Sequence, residues 1–290
     1  MKIRVPATSA NLGPGFDSCG LALDRYLYIE VFEPANEWTI LHDLGEDIPS
    51  GETNLLVTTA LEVVADLKPH RLKMTSEIPL TRGLGSSSSV IVAGIELANQ
   101  LADLRLTDYE KMQIATKIEG HPDNVAPAIL GNFITASFDS VEVDYVKASV
   151  PACEIIAIIP DYELATSASR GALPESLDYK DAVKASSRGN LLVAAMIRED
   201  LILAGKMMMQ DEWHEPYRAA LVPELAVVRE LVKTSSAFGC ALSGAGPTIL
   251  ILTPIGTSRE IKAKLAEKLN LEKYEICNLN VDTHGVHVYK

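Results

Sequence analysis

The segment Pro79-Leu80-Thr81-Arg82-Gly83-Leu84-Gly85-Ser86-Ser87-Ser88-Ser89 leads straight into a periodic apolar run that starts at Val90, and no other stretch restricts the fold as much. Glycines permit torsions that turn consecutive N–H groups to one side, and a helix start leaves several donors unpaired. Together with the helix dipole they form an anion site. Serine hydroxyls add donors for phosphate and neutral oxygens for a magnesium ion. A plainer reading is also open, a serine-capped helix after a flexible turn. The segment is not a Walker loop, because no lysine follows the glycines. Nor is it a dinucleotide fingerprint, because the third glycine and a surrounding βαβ unit are missing.

Any phosphate held here is held by local geometry rather than by the overall field. The 290 residues carry 26 Lys and Arg against 39 Asp and Glu, a formal net charge of −13. That balance excludes a generic nucleic-acid or anionic-membrane binder, since both need surplus cations. Hydrophobic residues make up 47% and charged residues 22%, ordinary globular usage, and the length suits about two domains. Cys19, Cys153, Cys240 and Cys277 are scattered and form no CxxC pair, which fits buried thiols in a reducing compartment. The N-terminal residues lack a signal-peptide core, and the runs Ile155–Ile159 and Ile249–Leu252 are too short to span a bilayer. These features predict a soluble cytoplasmic protein.

Alternation predicts strands at Ile3–Pro6, Leu27–Phe32 and Trp38–Leu41, and one through Leu72 and Met74 towards Pro79. Helical spacing marks Asn54–Leu67, Val90–Leu101 and Thr107–Ile118, the last stopped by Gly120. The pattern restarts after Pro151 with a buried strand at Glu154–Ile159 and helices at Asp181–Leu203 and Glu224–Thr234. A strand pair then flanks Gly244-Ala245-Gly246, followed by a helix at Ser258–Leu269 and a strand at Gly285–Tyr289. Mixed order without strict βα alternation predicts an α+β fold, with domains of 1–150 and 151–290.

Two further segments are rich in glycine. Pro6-Ala7-Thr8-Ser9-Ala10-Asn11-Leu12-Gly13-Pro14-Gly15-Phe16-Asp17 gathers Thr, Ser, Asn and Asp on one loop, which alone reads equally as a turn. Ala241 to Thr248 reads equally as a tight hairpin. In this order and spacing, the three segments resemble the signature motifs of the galactokinase–homoserine kinase–mevalonate kinase superfamily. The N-terminal segment and His121-Pro122-Asp123-Asn124-Val125-Ala126-Pro127 resemble its homoserine kinase branch. The likeness runs from Val5 to the C-terminus. It implies an N-terminal domain related to a ribosomal-protein fold packed on a ferredoxin-like C-terminal domain, with ATP and L-homoserine meeting between them. It also admits a homodimer.

The resemblance further implies roles residue by residue. Pro79, Leu80, Thr81, Arg82, Gly83, Leu84, Gly85, Ser86, Ser87, Ser88 and Ser89 would wrap the ATP phosphates, with Ser86 near Mg²⁺. Asn54 would sit beside the adenine, and Gly244 and Gly246 would close over the phosphates. Asn11, Asp17, His121, Asp123, Thr166, Arg170 and Arg218 would contact substrate, the two guanidiniums suiting its carboxylate. Asn124 stands where kinases of the galactokinase and mevalonate type carry a catalytic aspartate. Asparagine cannot act as a base, so catalysis by Asn124 and Arg218 would work through positioning and charge stabilisation. Many relatives place a Mg²⁺-binding Glu eight residues before the motif histidine; that position holds Gln113, with Glu119 expected on another helical face. His42, His70, His214, His284 and His287 read as surface or capping residues, and Met207–Met209 as core filler. Mevalonate- or shikimate-type kinases, a decarboxylase and a non-catalytic ATP and amino-acid sensor are the rival readings.

Overall fold

The computed structural model describes residues 1–290. In chain order the elements are β1 (Lys2–Ala10), β2 (Cys19–Pro34), β3 (Thr39–Leu41), α1 (Leu55–Val63), β4 (His70–Ser76), α2 (Ser86–Leu101), α3 (Asp108–Glu119), α4 (Val125–Leu130), β5 (Phe133–Phe138) and β6 (Val143–Ala148). After these come β7 (Glu154–Pro160), α5 (Thr166–Gly171), α6 (Tyr179–Ile197), α7 (Leu201–Met208), α8 (Glu215–Arg218), α9 (Glu224–Lys233), β8 (Gly239–Leu242), β9 (Ile249–Thr253), α10 (Ser258–Lys268), β10 (Tyr274–Leu279) and β11 (His287–Tyr289). No helix is long and apolar enough to cross a membrane.

Two sheets result. The first has the order β11-β1-β2-β4-β3, and β2 also pairs with β5, which pairs with β6. The second has the order β10-β7-β9-β8. Numbered within that sheet it reads 4-1-3-2, with all three pairings antiparallel and helices between its first and second and its third and fourth strands, which is the ferredoxin-like arrangement. The last strand returns to the first sheet, where Lys2 lies opposite Tyr289.

Period-two alternation explains the packing of the second sheet. On one face Ile155, Ala157, Ile159, Ala241, Leu250 and Leu252 join a core shared with the first sheet, α6 and α7. On the other, Ile156, Ile158, Cys240, Leu242, Ile249 and Ile251 pack against α9 and α10. β7 is therefore apolar on both faces, and a run that looked continuous in the sequence is a central strand. α2 is enclosed nearly all round, with Ile91 to Asn99 buried. Its buried Glu96 is answered by Lys111 at 2.8 Å, Asn99 Nδ2 at 3.0 Å and Gln100 Nε2 at 2.7 Å. A helix held this firmly gives the segment before it a rigid base.

Several boundaries depart from the sequence reading. α2 begins at Ser86, so all four serines are already helical. The helix expected over Asp181–Leu203 breaks in two at Glu199, whose φ is 63°, and Asp200 then caps α7 by accepting from Leu203 N at 2.9 Å. β5, β6 and β10 escaped periodicity because they are short and carry polar residues on exposed faces.

α7 lies directly on β8 through Gly205. A Cβ there would stand 2.1 Å from the Phe238 carbonyl oxygen and 2.8 Å from Gly239 N, both backbone atoms that cannot step aside. Gly205→Ala would gain about 1 kcal/mol of helix propensity in isolation. Overpacking of about 1–3 kcal/mol opposes it and wins because the obstacle is main chain. Urea unfolding should show a net loss of stability; a gain would mean that α7 and β8 are not in contact.

Candidate active site

The cleft between the two sheets is built from loops that each need unusual backbone. After β1, Asn11, Leu12 and Asp17 have φ of 72°, 50° and 51°. Asn and Asp tolerate that region through local side-chain bonds. Asn11 supplies them: its Oδ1 accepts from Asp17 N at 3.0 Å, and its Nδ2 donates to the Gly244 carbonyl at 3.1 Å. The β8–β9 hairpin is thereby tied to this loop. Gly244 N donates to the Ala10 carbonyl at 3.1 Å, and the Ser243 hydroxyl lies 2.8 Å from Ser9 Oγ and 2.6 Å from the Gly83 carbonyl.

Gly83 and Gly85 have φ of 76° and 69°. A Cβ on Gly83 would meet the Ser243 carbonyl oxygen at 2.3 Å, and one on Gly85 would meet Thr8 Oγ1 at 2.1 Å. Gly85 is the N-cap of α2, and no side chain caps that end. The serine-capped reading therefore fails: Ser89 Oγ donates back to the Ser86 carbonyl, and Ser88 Oγ donates to Glu119 Oε1 at 2.9 Å. The first-turn N–H groups of Ser86, Ser87 and Ser88 line the cleft with no side-chain acceptor.

The α3–α4 turn adds a row of polar groups. Glu119 ends α3, and burial raises its carboxyl above the usual range against the opposing pull of His121 and Ser88. His121 Nδ1 lies 2.5 Å from Asp123 Oδ1. Burial draws the imidazole pKa down, but the bond to Asp123 and the charges of Asp123, Asp17 and Glu119 outweigh it, so the net shift is upward. Thr8 Oγ1 donates to Asn124 Oδ1 at 2.8 Å. With its oxygen engaged there, Asn124 turns its amide nitrogen towards Asp123 Oδ1, 3.4 Å away, and presents donors rather than an acceptor.

The opposite wall is cationic. Arg170 on α5 grips Asp17 through two bonds of 2.8 and 3.2 Å. Arg218 is 2% exposed, and no carboxylate pairs with it. Its Nε donates to the Ser169 carbonyl at 3.2 Å, and its Nη1 lies 3.1 Å from the Gly244 carbonyl and 3.0 Å from His214 Nδ1. Burial, then the neighbouring charge of Arg170, lowers its pKa to about 10, which leaves it a cation at neutral pH. His214 is not a surface or capping residue. It is fully buried, stacked on Phe16 with ring centroids 5.2 Å apart, and its Nε2–H donates to the Gly13 carbonyl at 3.0 Å. Burial and the charge of Arg218 take its pKa to about 4 against Asp211, so it is neutral and offers Nδ1 as an acceptor to Arg218.

One cleft thus gathers Asn11, Asp17, Thr81, Gly83, Gly85, Ser86, Ser87, Ser88, His121, Asp123, Asn124, Thr166, Arg170, Arg218 and Gly244. Asn54 and Leu80 line an adjoining, more apolar cavity that shares Thr81, Ser86 and Ser87 with it. Asn54 is also the cap of α1, bonded to Leu56 N and the Pro49 carbonyl. Pro79, Arg82, Leu84, Ser89 and Gly246 stand outside both walls. Leu84 is core, and Arg82 points to the other side, donating to the carbonyls of Pro160 at 2.9 Å and Asp161 at 2.6 Å. Gln113, where many relatives carry a carboxylate, does not line the cleft. Gln113 bonds both polar groups of Val143 at 3.2 Å, whereas Glu119 enters the cleft at the helix end; the hydroxyl beside it is that of Ser88 rather than Ser86. Glu119 thus lies on a helical face other than that of Gln113, as the six-residue spacing indicates, and it is this second face that meets the cleft.

Comparison with known proteins agrees with this architecture. Residues 54–132 match the model for the GHMP kinases N terminal domain, and residues 192–271 that for the GHMP kinases C terminal domain. The homoserine kinase of Enterococcus faecalis is 56% identical over 289 residues, covering 100% of each chain. A solved structure from Listeria monocytogenes is 46% identical with a TM-score of 0.88, covering 100% of this chain and 99% of that one. The homoserine kinase structure from Cytophaga hutchinsonii is 28% identical with a TM-score of 0.87, covering 100% and 97%. The chain belongs to the GHMP kinases, within their homoserine kinase family.

Proposed function

We propose that this protein transfers the γ-phosphoryl group of ATP to the side-chain hydroxyl of L-homoserine, forming O-phospho-L-homoserine for threonine synthesis in the cytoplasm. One observation carries the reading. An uncapped helix N-terminus and a buried arginine without a carboxylate partner share a cleft with the carboxylates of Asp17, Glu119 and Asp123. The first suits phosphates, the second an α-carboxylate, and Asp17 an α-ammonium.

In this reading Thr81 and the α2 start hold the phosphates, and the apolar cavity beside Asn54 takes the base. Residues 1–150 supply these parts, and residues 151–290 supply the guanidiniums and the Gly244 hairpin. Glu119 and the Ser88 hydroxyl are hard oxygen donors of the kind Mg²⁺ prefers, so they fit the ion, with Ser86 on the same wall. Bound there, it would neutralise phosphate charge. Arg218 and Arg170 orient the carboxylate. Asn124 and the N–H groups of α2 donate to oxygens that gain charge during transfer. This reading assigns no base to the hydroxyl, since Asn124 cannot act as one and a loose phosphoryl transition state does not require one. With Glu119 in the cleft, Gln113 no longer favours a non-catalytic sensor.

ADP release with Mg-ATP should be confined to L-homoserine in a panel with D-homoserine, serine, mevalonate and shikimate; turnover of another alcohol alone would refute the substrate. Arg218→Leu should lower kcat/KM for L-homoserine by about 2–5 kcal/mol equivalent. Glu119→Gln should raise the Mg²⁺ concentration for half-maximal rate about tenfold or more, and an unchanged Mg²⁺ titration would remove Glu119 from the metal. Thr8→Val should depress kcat with little change in KM while Thr8→Ser stays near wild type, because only the hydroxyl orients Asn124. Equal kinetics in both variants would show that Asn124 needs no such anchor.

A further inference from the structure

Asp17 and Arg170 face each other across the cleft. Asp17 lies on the β1–β2 loop, and Arg170 lies on α5, which is tied to the β8–β9 hairpin by the Ser169 hydroxyl donating to the Ala245 carbonyl at 2.7 Å. Both guanidinium branches are engaged by both carboxylate oxygens. The two groups best suited to an ammonium and a carboxylate are therefore each other's partners. The pair is 39% and 35% exposed, so its own strength is modest. Around it stand Glu119, His121, Asp123 and Arg218, and the Phe16 ring lies 5.8 Å from the Arg170 guanidinium and 5.5 Å from that of Arg218.

We propose that the Asp17–Arg170 pair is the specificity filter of the cleft, opened at little cost only by a substrate that carries an ammonium and a carboxylate on one carbon. This rests on the homoserine reading above. A zwitterion replaces both halves of the pair: its ammonium takes Asp17 and its carboxylate takes Arg170. A ligand with one charge separates the pair but restores one half only. The other half loses the partner it holds directly and keeps only the charges around it, Asp123 and Glu119 for Arg170, Arg218 and His121 for Asp17, which make no bond to it, and that is the costlier arrangement. Rejection of single-charge alcohols then comes from the deserted partner as well as from a missing contact.

The two accounts differ in sign when one partner is removed. The experiment measures ADP release by wild type, Asp17→Asn, Arg170→Gln and Asp123→Asn with L-homoserine, 4-hydroxybutyrate (no ammonium) and 3-amino-1-propanol (no carboxylate). Wild type should strongly prefer L-homoserine. Asp17→Asn should lower kcat/KM for L-homoserine about a hundredfold and raise it for 4-hydroxybutyrate about tenfold. Arg170→Gln should do the same with 3-amino-1-propanol as the gainer, so the proposal does not depend on one variant folding. Unchanged or reduced turnover of the single-charge alcohol in both variants would overturn the filter. Equal relief of 4-hydroxybutyrate in Asp123→Asn, which removes a nearby charge but leaves the pair intact, would assign the effect to the general field and overturn it too. Wild type that leaves L-homoserine untouched would instead refute the substrate reading itself.

Discussion

The molecule depends on a contact between the end of β1 and two loops, the one around Gly83 and the β8–β9 hairpin. Ser243 reaches both Ser9 and the Gly83 carbonyl, Gly244 N donates to Ala10, and Thr248 N donates to the Arg82 carbonyl at 3.2 Å. Arg82 then fastens the same segment to the end of β7. Gly83 has room for nothing larger than hydrogen at this junction. The segment around Gly83 is therefore held from both sheets, and its geometry belongs to their assembly rather than to either alone. Donors must be aimed before an anion arrives if they are to select it, and this junction does the aiming.

Electrostatics follows the same plan on a larger scale. The chain is strongly acidic, yet its cleft places Arg170 and Arg218 opposite the α2 start. A field created by net charge would repel ATP and would not distinguish one anion from another. Local donors, a helix terminus and a desolvated guanidinium discriminate by shape and spacing. His214 fits this plan as a neutral support: a protonated ring beside Arg218 would oppose the cation that it now steadies.

Much of this was legible in the residues. Turn chemistry and spacing located the three loops, and the buried strand and amphipathic helices of the second half followed from periods of two and 3.6. Local reading failed where a residue's role depends on contacts distant in sequence. His214 looked like a surface residue because nothing near it in the chain announces Phe16 or Gly13. Arg82 was read together with the glycines and serines beside it, but its side chain finds the backbone carbonyls of Pro160 and Asp161. Glu119 does lie on a helical face other than that of Gln113, but only contacts distant in sequence show that this face is the one that meets the cleft. Ser88, counted with its fellow serines, was singled out only by the carboxylate beside it.

β11 lies against β1, with Lys2 opposite Tyr289. β1 thus waits for residues 287–289 before its outer edge is paired. Between them the whole second sheet must be synthesised, and an open strand edge is an invitation to foreign pairing. Until then the first sheet keeps an unpaired edge along the start of β1. Closure of the first sheet therefore follows synthesis of the second, and loss of β11 would display that edge to neighbouring chains.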